Sequence, residues 1–128
     1  MRVIIADDSN LTLDWLAEML GRYDQIEVVA KCENGTETLD ALRNLKPDLA
    51  IVDYRMPGLS GIEVLREIRK TDSGLKFILL TFYAFDNYRQ MAMEAGADYF
   101  FSKVDDFEYL SLLMGELVAH AKNERIKN

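Results

Sequence analysis

At 128 residues the chain has the usual length of one domain, and 49% hydrophobic residues are enough to bury a core. A formal net charge of −7, with no visible stripe of Lys and Arg to neutralise phosphates, argues against direct binding to nucleic acid. Cys32 is the single cysteine and His120 the single histidine, so an internal disulfide is impossible and a zinc cluster is not expected.

No stretch approaches the roughly 20 apolar residues of a membrane helix. Met1-Arg2 leads straight into a strand-like run without a charged-then-apolar leader. The expectation from these features is a cytoplasmic protein with no membrane partner.

The first expected strand is Arg2 to Ala6, and it runs into Asp7-Asp8. Ser9 can cap the following helix, because its hydroxyl can accept an orphan backbone N–H. That helix should reach about Arg22, since Leu13, Leu16, Met19, Leu20 and Tyr23 recur at spacings of three and four. Trp15 lies beside the stripe and reads as a core or edge residue. Glu18 and Arg22 stand in the favourable i,i+4 order.

A second strand is expected over Ile26 to Cys32. Asn34 can then cap a second helix, with Glu37 placed to reach back as in a capping box. Leu39, Leu42 and Leu45 should face inward. Pro47 should bias Lys46 toward an extended conformation and end that helix. The third strand, Asp48 to Val52, delivers Asp53, and Tyr54 to Gly61 form a loop rich in Pro and Gly punctuation. Gly61 lets a third helix start close to the sheet, burying Val64, Leu65 and Ile68.

After a turn at Thr71 to Gly74, a fourth strand should span Lys76 to Leu80 and end at Thr81. The fourth helix should cover about Ala84 to Ala95, with Gly96 as a left-handed C-terminal cap. The fifth strand, Asp98 to Ser102, ends at Lys103. Asp105 or Asp106 should cap a last helix that carries Phe107, Leu110, Met114, Leu117 and Ala121 on one side. The tail from Asn123 to Asn128 should fray.

Five strand-then-helix units with short connections imply an α/β fold, a parallel sheet with helices on both faces. One domain is expected over residues 1–128. If the strands run parallel, the polar groups that end them gather at one sheet edge, where ligands and chemistry are found in open parallel sheets. Three carboxylates close together repel, so at neutral pH a cation or a proton is needed among them. A hard dication with oxygen ligands, Mg²⁺, suits that set.

Asp7-Asp8, Asp53 with Met56-Pro57-Gly58 behind it, Thr81, and Lys103 preceded by Gly96-Ala97-Asp98-Tyr99-Phe100 together resemble the receiver domain of bacterial two-component response regulators. The resemblance covers the whole chain. It implies a flavodoxin-like (βα)5 three-layer sandwich with strand order 2-1-3-4-5. It implies that Asp53 accepts a phosphoryl group, giving an aspartyl phosphate. Asp8, Asp53 and the backbone carbonyl of Arg55 match Mg²⁺ ligands, and Asp7 matches an acid that positions metal-bound water. Thr81 matches a hydroxyl that moves to a phosphoryl oxygen, and Lys103 an ammonium that pairs with carboxylate and then phosphate. Phe100 holds the aromatic switch position, turning inward when Thr81 vacates space. The partners implied are a sensor histidine kinase or phosphotransfer protein and a downstream protein target. That target would read the face of the fourth helix, fifth strand and fifth helix. A homodimer is left open.

Three positions depart from the family pattern. Val104 replaces the Pro that usually follows the lysine, so the Lys103–Val104 bond is either trans or strained to keep the lysine aimed. Phe82 replaces a small residue after the threonine, and is expected to crowd the phosphoryl site and hinder attacking water. Arg55 and Tyr83 stand two residues after Asp53 and Thr81, where they flank the site or are simply exposed.

The expected function is a phosphorylation-driven switch, a phosphoacceptor that catalyses only its own phosphotransfer and dephosphorylation. The alternative is a receiver-like interaction module that takes no phosphate. A phosphatase of the haloacid dehalogenase type would need Asp-x-Asp after its first strand, and this chain has Asp7-Asp8-Ser9 there.

Overall fold

The computed structural model describes residues 1–82 and 84–127, with only the course of the helix given for 122–127. Its elements are β1 (Arg2–Ala6), α1 (Asn10–Leu20), β2 (Glu27–Cys32), α2 (Gly35–Leu45), β3 (Leu49–Asp53), α3 (Gly61–Arg69), β4 (Lys76–Thr81), α4 (Asp86–Ala95), β5 (Tyr99–Ser102) and α5 (Phe107–Lys127). All neighbouring strands pair in parallel, in the order β2-β1-β3-β4-β5. The expected flavodoxin-like fold and strand order are therefore met. No helix of the described residues is long and apolar enough to cross a membrane.

Strand side chains alternate between faces, and the core divides accordingly. Ile4, Ala6, Ala50, Val52, Phe77, Leu79 and Phe100 join residues of α2, α3 and α4. Val3, Ile5, Leu49, Ile51, Ile78 and Leu80 join residues of α1 and α5. The central strands are buried on both faces, as parallel strands between two helical layers must be.

Several local expectations are met. Ser9 accepts from the Thr12 N–H at the start of α1. Gly96 closes α4 at φ 105°, where a side chain would be strained. Gly61 has to be glycine, because a Cβ there would overlap the Asp53 carbonyl oxygen.

Others need correcting. Lys46 is not extended; it sits at φ 46°, ψ 64° and donates its N–H to Leu42 O at 3.2 Å. The clash with Pro47 disfavours only the right-handed helical region, and a left-handed cap satisfies a helix carbonyl that an extended residue would leave. At α2, Asn34 accepts the Glu37 N–H, but its side-chain amide donates to the Glu37 carboxylate at 3.4 Å, so the box is not closed through the backbone. The complete capping box stands at α3, between Ser60 and Glu63. α1 stops at Leu20 with Gly21 as its C-cap, which leaves Arg22 beyond the helix; no ion pair links it to Glu18 among the described residues. α5 continues to Lys127, past the point where fraying was expected, and Asn128 lies outside the described residues. Its buried side also includes Leu113 and Val118.

Candidate functional site

β1 and β3 are neighbours in register, with Ala6 opposite Val52. The residues that follow, Asp7 and Asp53, therefore leave the sheet side by side. Asp7, Asp8 and Asp53 each offer a carboxylate oxygen, and these oxygens lie within 4.8 Å of one another. Asp7 and Asp53 are buried at 1% and 7% exposure, while Asp8 is exposed to solvent. The cluster is thus walled by protein beneath and open above.

Lys103 enters from the end of β5. Its Nζ donates to Asp7 Oδ2 at 2.5 Å and lies 3.3 Å from Asp53 Oδ1. The ammonium bridges the two buried carboxylates, and it is only 4% exposed itself. The second oxygen of Asp7 accepts the Ser9 N–H at 2.9 Å, which fixes the orientation of that carboxylate. Three carboxylates around one ammonium leave a negative centre. Burial, then the charge of Asp7, raises Asp53 from an ordinary 3.8 to about 6; Lys103 opposes the rise and Asp8 adds to it.

The turn that carries Lys103 is held without proline. Lys103 donates its backbone N–H to Thr81 O at 2.8 Å. The Ser102 hydroxyl accepts the N–H groups of Val104 and Asp105, and the Asp106 carboxylate accepts the Ser102 N–H at 2.7 Å. There is no cis peptide bond among the described residues, so the Lys103–Val104 bond is trans. Lys103 remains aimed at the acids all the same. Ser102 is a positioning residue that sequence reading passed over. The one signal for it was a short hydroxyl side chain followed by two acids, which is a common loop composition.

Thr81 is fully buried at the end of β4, with Ser102 opposite it in β5. It shares a sheet face with Phe100, whose register partner is Leu79. The Phe100 ring is already inside, 3% exposed, in the core cluster under α2, α3 and α4. The Arg89 guanidinium lies 4.8 Å from the ring centroid and donates to Phe100 O at 3.1 Å. The Phe100 ring is thus part of the buried core in this conformation.

Arg55 follows β3 in the loop and its side chain is exposed. Tyr83 lies outside the described residues. Phe82 is 62% exposed, with its ring centroid 4.8 Å from Lys103 Nζ. On the far side of the site the Tyr54 ring meets Tyr88 of α4 edge-on, with centroids 5.1 Å apart. Trp15 proves to be an edge residue, its ring centroid 4.0 Å from that of Phe107.

Known proteins resemble this chain over most of its length. The transcriptional regulatory protein DesR of Bacillus subtilis is 35% identical over 109 residues, covering 85% of this chain and 54% of that protein. The response regulator GacA of Pseudomonas viridiflava is 31% identical over 103 residues, covering 80% of this chain and 48% of that one. The chain spans about half the length of these curated relatives. Among solved structures, the response regulator domain of Thermotoga maritima CheB superposes with a TM-score of 0.82 at 26% identity, covering 96% of each chain. The receiver domain of RcsB from Salmonella enterica serovar Typhimurium, solved with the phosphomimetic BeF3⁻, superposes with a TM-score of 0.75 at 26% identity, covering 80% of this chain and 77% of that one. The family described as the response regulator receiver domain matches residues 3–113, and the chain belongs to it.

Proposed function

We propose that this receiver domain is a phosphoacceptor, that Asp53 takes the phosphoryl group, and that the donor is a histidine kinase or phosphotransfer protein. The observation that carries the reading is the bridge of Lys103 between Asp7 and Asp53 inside a cluster of three carboxylates. A buried cation so placed faces both the nucleophile and the position that the phosphoryl oxygens would take up.

The donor set fits Mg²⁺. All the donors are hard oxygens, and one side of the cluster is open for water and a phosphate oxygen, the usual way this ion is held. Asp8, Asp53 and the carbonyl of Arg55 would hold it, with Asp7 orienting a bound water. When bound, the ion offsets negative charge on the phosphoryl group.

The chain's own residues do the rest. Asp53 attacks as a carboxylate, so it must be ionised, and its pKa of about 6 leaves it so at neutral pH. Lys103 stabilises charge that develops on the transferred group. Thr81 offers a hydroxyl to a phosphoryl oxygen. The added group carries about −1.5 to −2 charge and three strong acceptors. It would favour one of two pre-existing arrangements of the face formed by α4, β5 and α5. A downstream protein would read the face.

Incubation with acetyl phosphate and Mg²⁺, followed by intact-mass measurement, tests the assignment. The expected result is a gain of one phosphoryl group that is absent in Asp53→Ala. A chain that gains none would be a receiver-like interaction module instead. Turnover of a phosphomonoester would point to a phosphatase.

A further inference from the structure

The first turn of α2 presses main chain to main chain on the loop that follows Asp53. Gly35 donates its N–H to Pro57 O at 3.0 Å. A Cβ added at Gly35 would overlap the carbonyl oxygen of Leu59 and stand 2.5 Å from its carbon, and main-chain atoms cannot swing aside as a flexible side chain can. From the loop side of this seam Gly58 faces Thr36, whose Oγ1 would lie 3.1 Å from a Cβ at position 58. The helix itself does not ask for a glycine. Asn34 already caps it by accepting the Glu37 N–H, and glycine is among the poorest helix formers. The contact with the loop accounts for Gly35 better. That loop is fixed at further points. Tyr54 donates its N–H to Leu80 O at 3.1 Å and accepts from the Gly61 N–H at 2.7 Å, and Met56 is buried in the core with residues of α2 and α3. Arg55 sits between these fixed points, two residues after Asp53 and two before Pro57. Three residues before Gly35, the Cys32 carbonyl accepts the Asp7 N–H at 3.0 Å. One short connection, from Cys32 to Gly35, therefore holds main chain on both β1 and β3 sides of the acidic cluster.

From this geometry we infer that Gly35 is a positioning residue for the divalent cation. By letting α2 touch the loop, it sets where the main-chain carbonyl of Arg55 stands relative to the carboxylates of Asp8 and Asp53. The inference rests on the Mg²⁺-dependent phosphoacceptor reading above. Gly35 acts through the main chain of residues 55–59 and not as a ligand. Mg²⁺ demands near-octahedral geometry at short distances, whereas Ca²⁺ accepts longer and less regular ligand sets. A loop pushed outward by one methyl group therefore costs Mg²⁺ binding more than Ca²⁺ binding. Simple loosening of the fold would not separate the two ions in that way.

Isothermal titration calorimetry with Mg²⁺ alone and with Ca²⁺ alone tests it, on wild type, Gly35→Ala, Gly58→Ala, Gly74→Ala and Leu20→Ala, with the melting temperature of each recorded. Gly35→Ala should raise the Mg²⁺ Kd by roughly ten- to a hundredfold, the range lost when the group that orients a metal ligand is disturbed. Its Ca²⁺ Kd should rise by a clearly smaller factor. Gly58→Ala presses on the same seam from the loop side. It should move both constants in the same direction but less, because its obstacle is a side-chain hydroxyl. Gly74→Ala, whose new Cβ would meet Asp72 Oδ1 at an ordinary 3.7 Å, should match wild type. Leu20→Ala empties a core position on the other sheet face, so it should lower the melting temperature and leave the Mg²⁺ Kd unchanged. If Gly35→Ala does not fold, Gly58→Ala decides by the same criteria. An unchanged Mg²⁺ Kd, equal losses for the two ions, or an equal loss in Leu20→Ala would overturn the inference alone. A wild type that binds no Mg²⁺ and takes no phosphoryl group from acetyl phosphate would overturn the phosphoacceptor reading, and this inference with it.

Discussion

α3 and α4 flank the same sheet face, yet they are held very differently. α3 begins in a closed capping box and buries Gly61, Ile62, Val64, Leu65 and Ile68. Its last residue, Arg69, donates to Gly96 O, Asp72 O and Asp98 Oδ2, which ties it to the start of β5. α4 begins at Asp86 behind Phe85, which supplies no side-chain cap, and of its residues only Ala92 is buried. Toward the site, Tyr88 meets the Tyr54 ring edge-on and Arg89 pairs with Phe100. A helix with few buried apolar contacts and an open N-terminus belongs to the low-stability end of a fold. The contrast bears on where the proposed charge change at Asp53 would act. α3 is anchored framework, and α4 is the more lightly held of the two.

The sharpest way to break this comparison is truncation on each helix. Leu65→Ala should destabilise by about 3 kcal/mol, the usual cost of emptying a packed core position. Met93→Ala, at a position 47% exposed, should stay within about 0.5 kcal/mol. Urea denaturation of the two variants checks both figures, and equal costs would erase the distinction.

A smaller effect comes from pH. Between 3.8 and about 6 the folded chain keeps a proton on Asp53 that the unfolded chain has released. Stability of the metal-free protein should therefore fall as pH rises through that window and level off above it. After allowance for solvent screening the loss is on the order of 1–2 kcal/mol. Asp53→Asn should flatten the curve. Addition of Mg²⁺ should raise the melting temperature more at pH 7.5 than at pH 5, because it requires the ionised carboxylate. Thermal melts across pH, with and without the ion, give all of these signs.

The smallest effects come from the helix starts. Ser60→Ala should cost about 1 kcal/mol by opening the α3 box. Phe85→Ser should gain roughly 0.5–1 kcal/mol by supplying the cap that α4 lacks. Amide exchange over residues 86–89 should slow in the second variant. If neither variant shifts, the caps do not explain the difference between the helices.

Four of the strands, β1, β3, β4 and β5, were readable because each is an apolar run that ends at a polar residue, a mark that β2 lacks. The site was readable for the same reason, since parallel strands deliver Asp7, Asp53, Thr81 and Lys103 to one edge. Strand order was a different matter. It came from the family resemblance, because periodicity alone says nothing about which strands are neighbours. Geometry between distant residues was also out of reach. The closest ion pair of the site joins residues 96 apart, and Arg69 meets Asp98 across 29. The weak seating of α4 was hidden as well, because its sequence still supports a helix and exposure depends on what covers it. Lys46 shows the local limit: Pro47 forbids one backbone region and leaves two others, and the choice between them belongs to the helix carbonyl that needs a partner.

The most direct test is hydrogen exchange measured by mass spectrometry on wild type and Asp53→Ala, each with and without acetyl phosphate and Mg²⁺. The expected outcome is an exchange change in wild type over residues 86–95, with residues 61–69 unchanged and no response in Asp53→Ala. A response of equal size in both helices, or one that survives in Asp53→Ala, would contradict it.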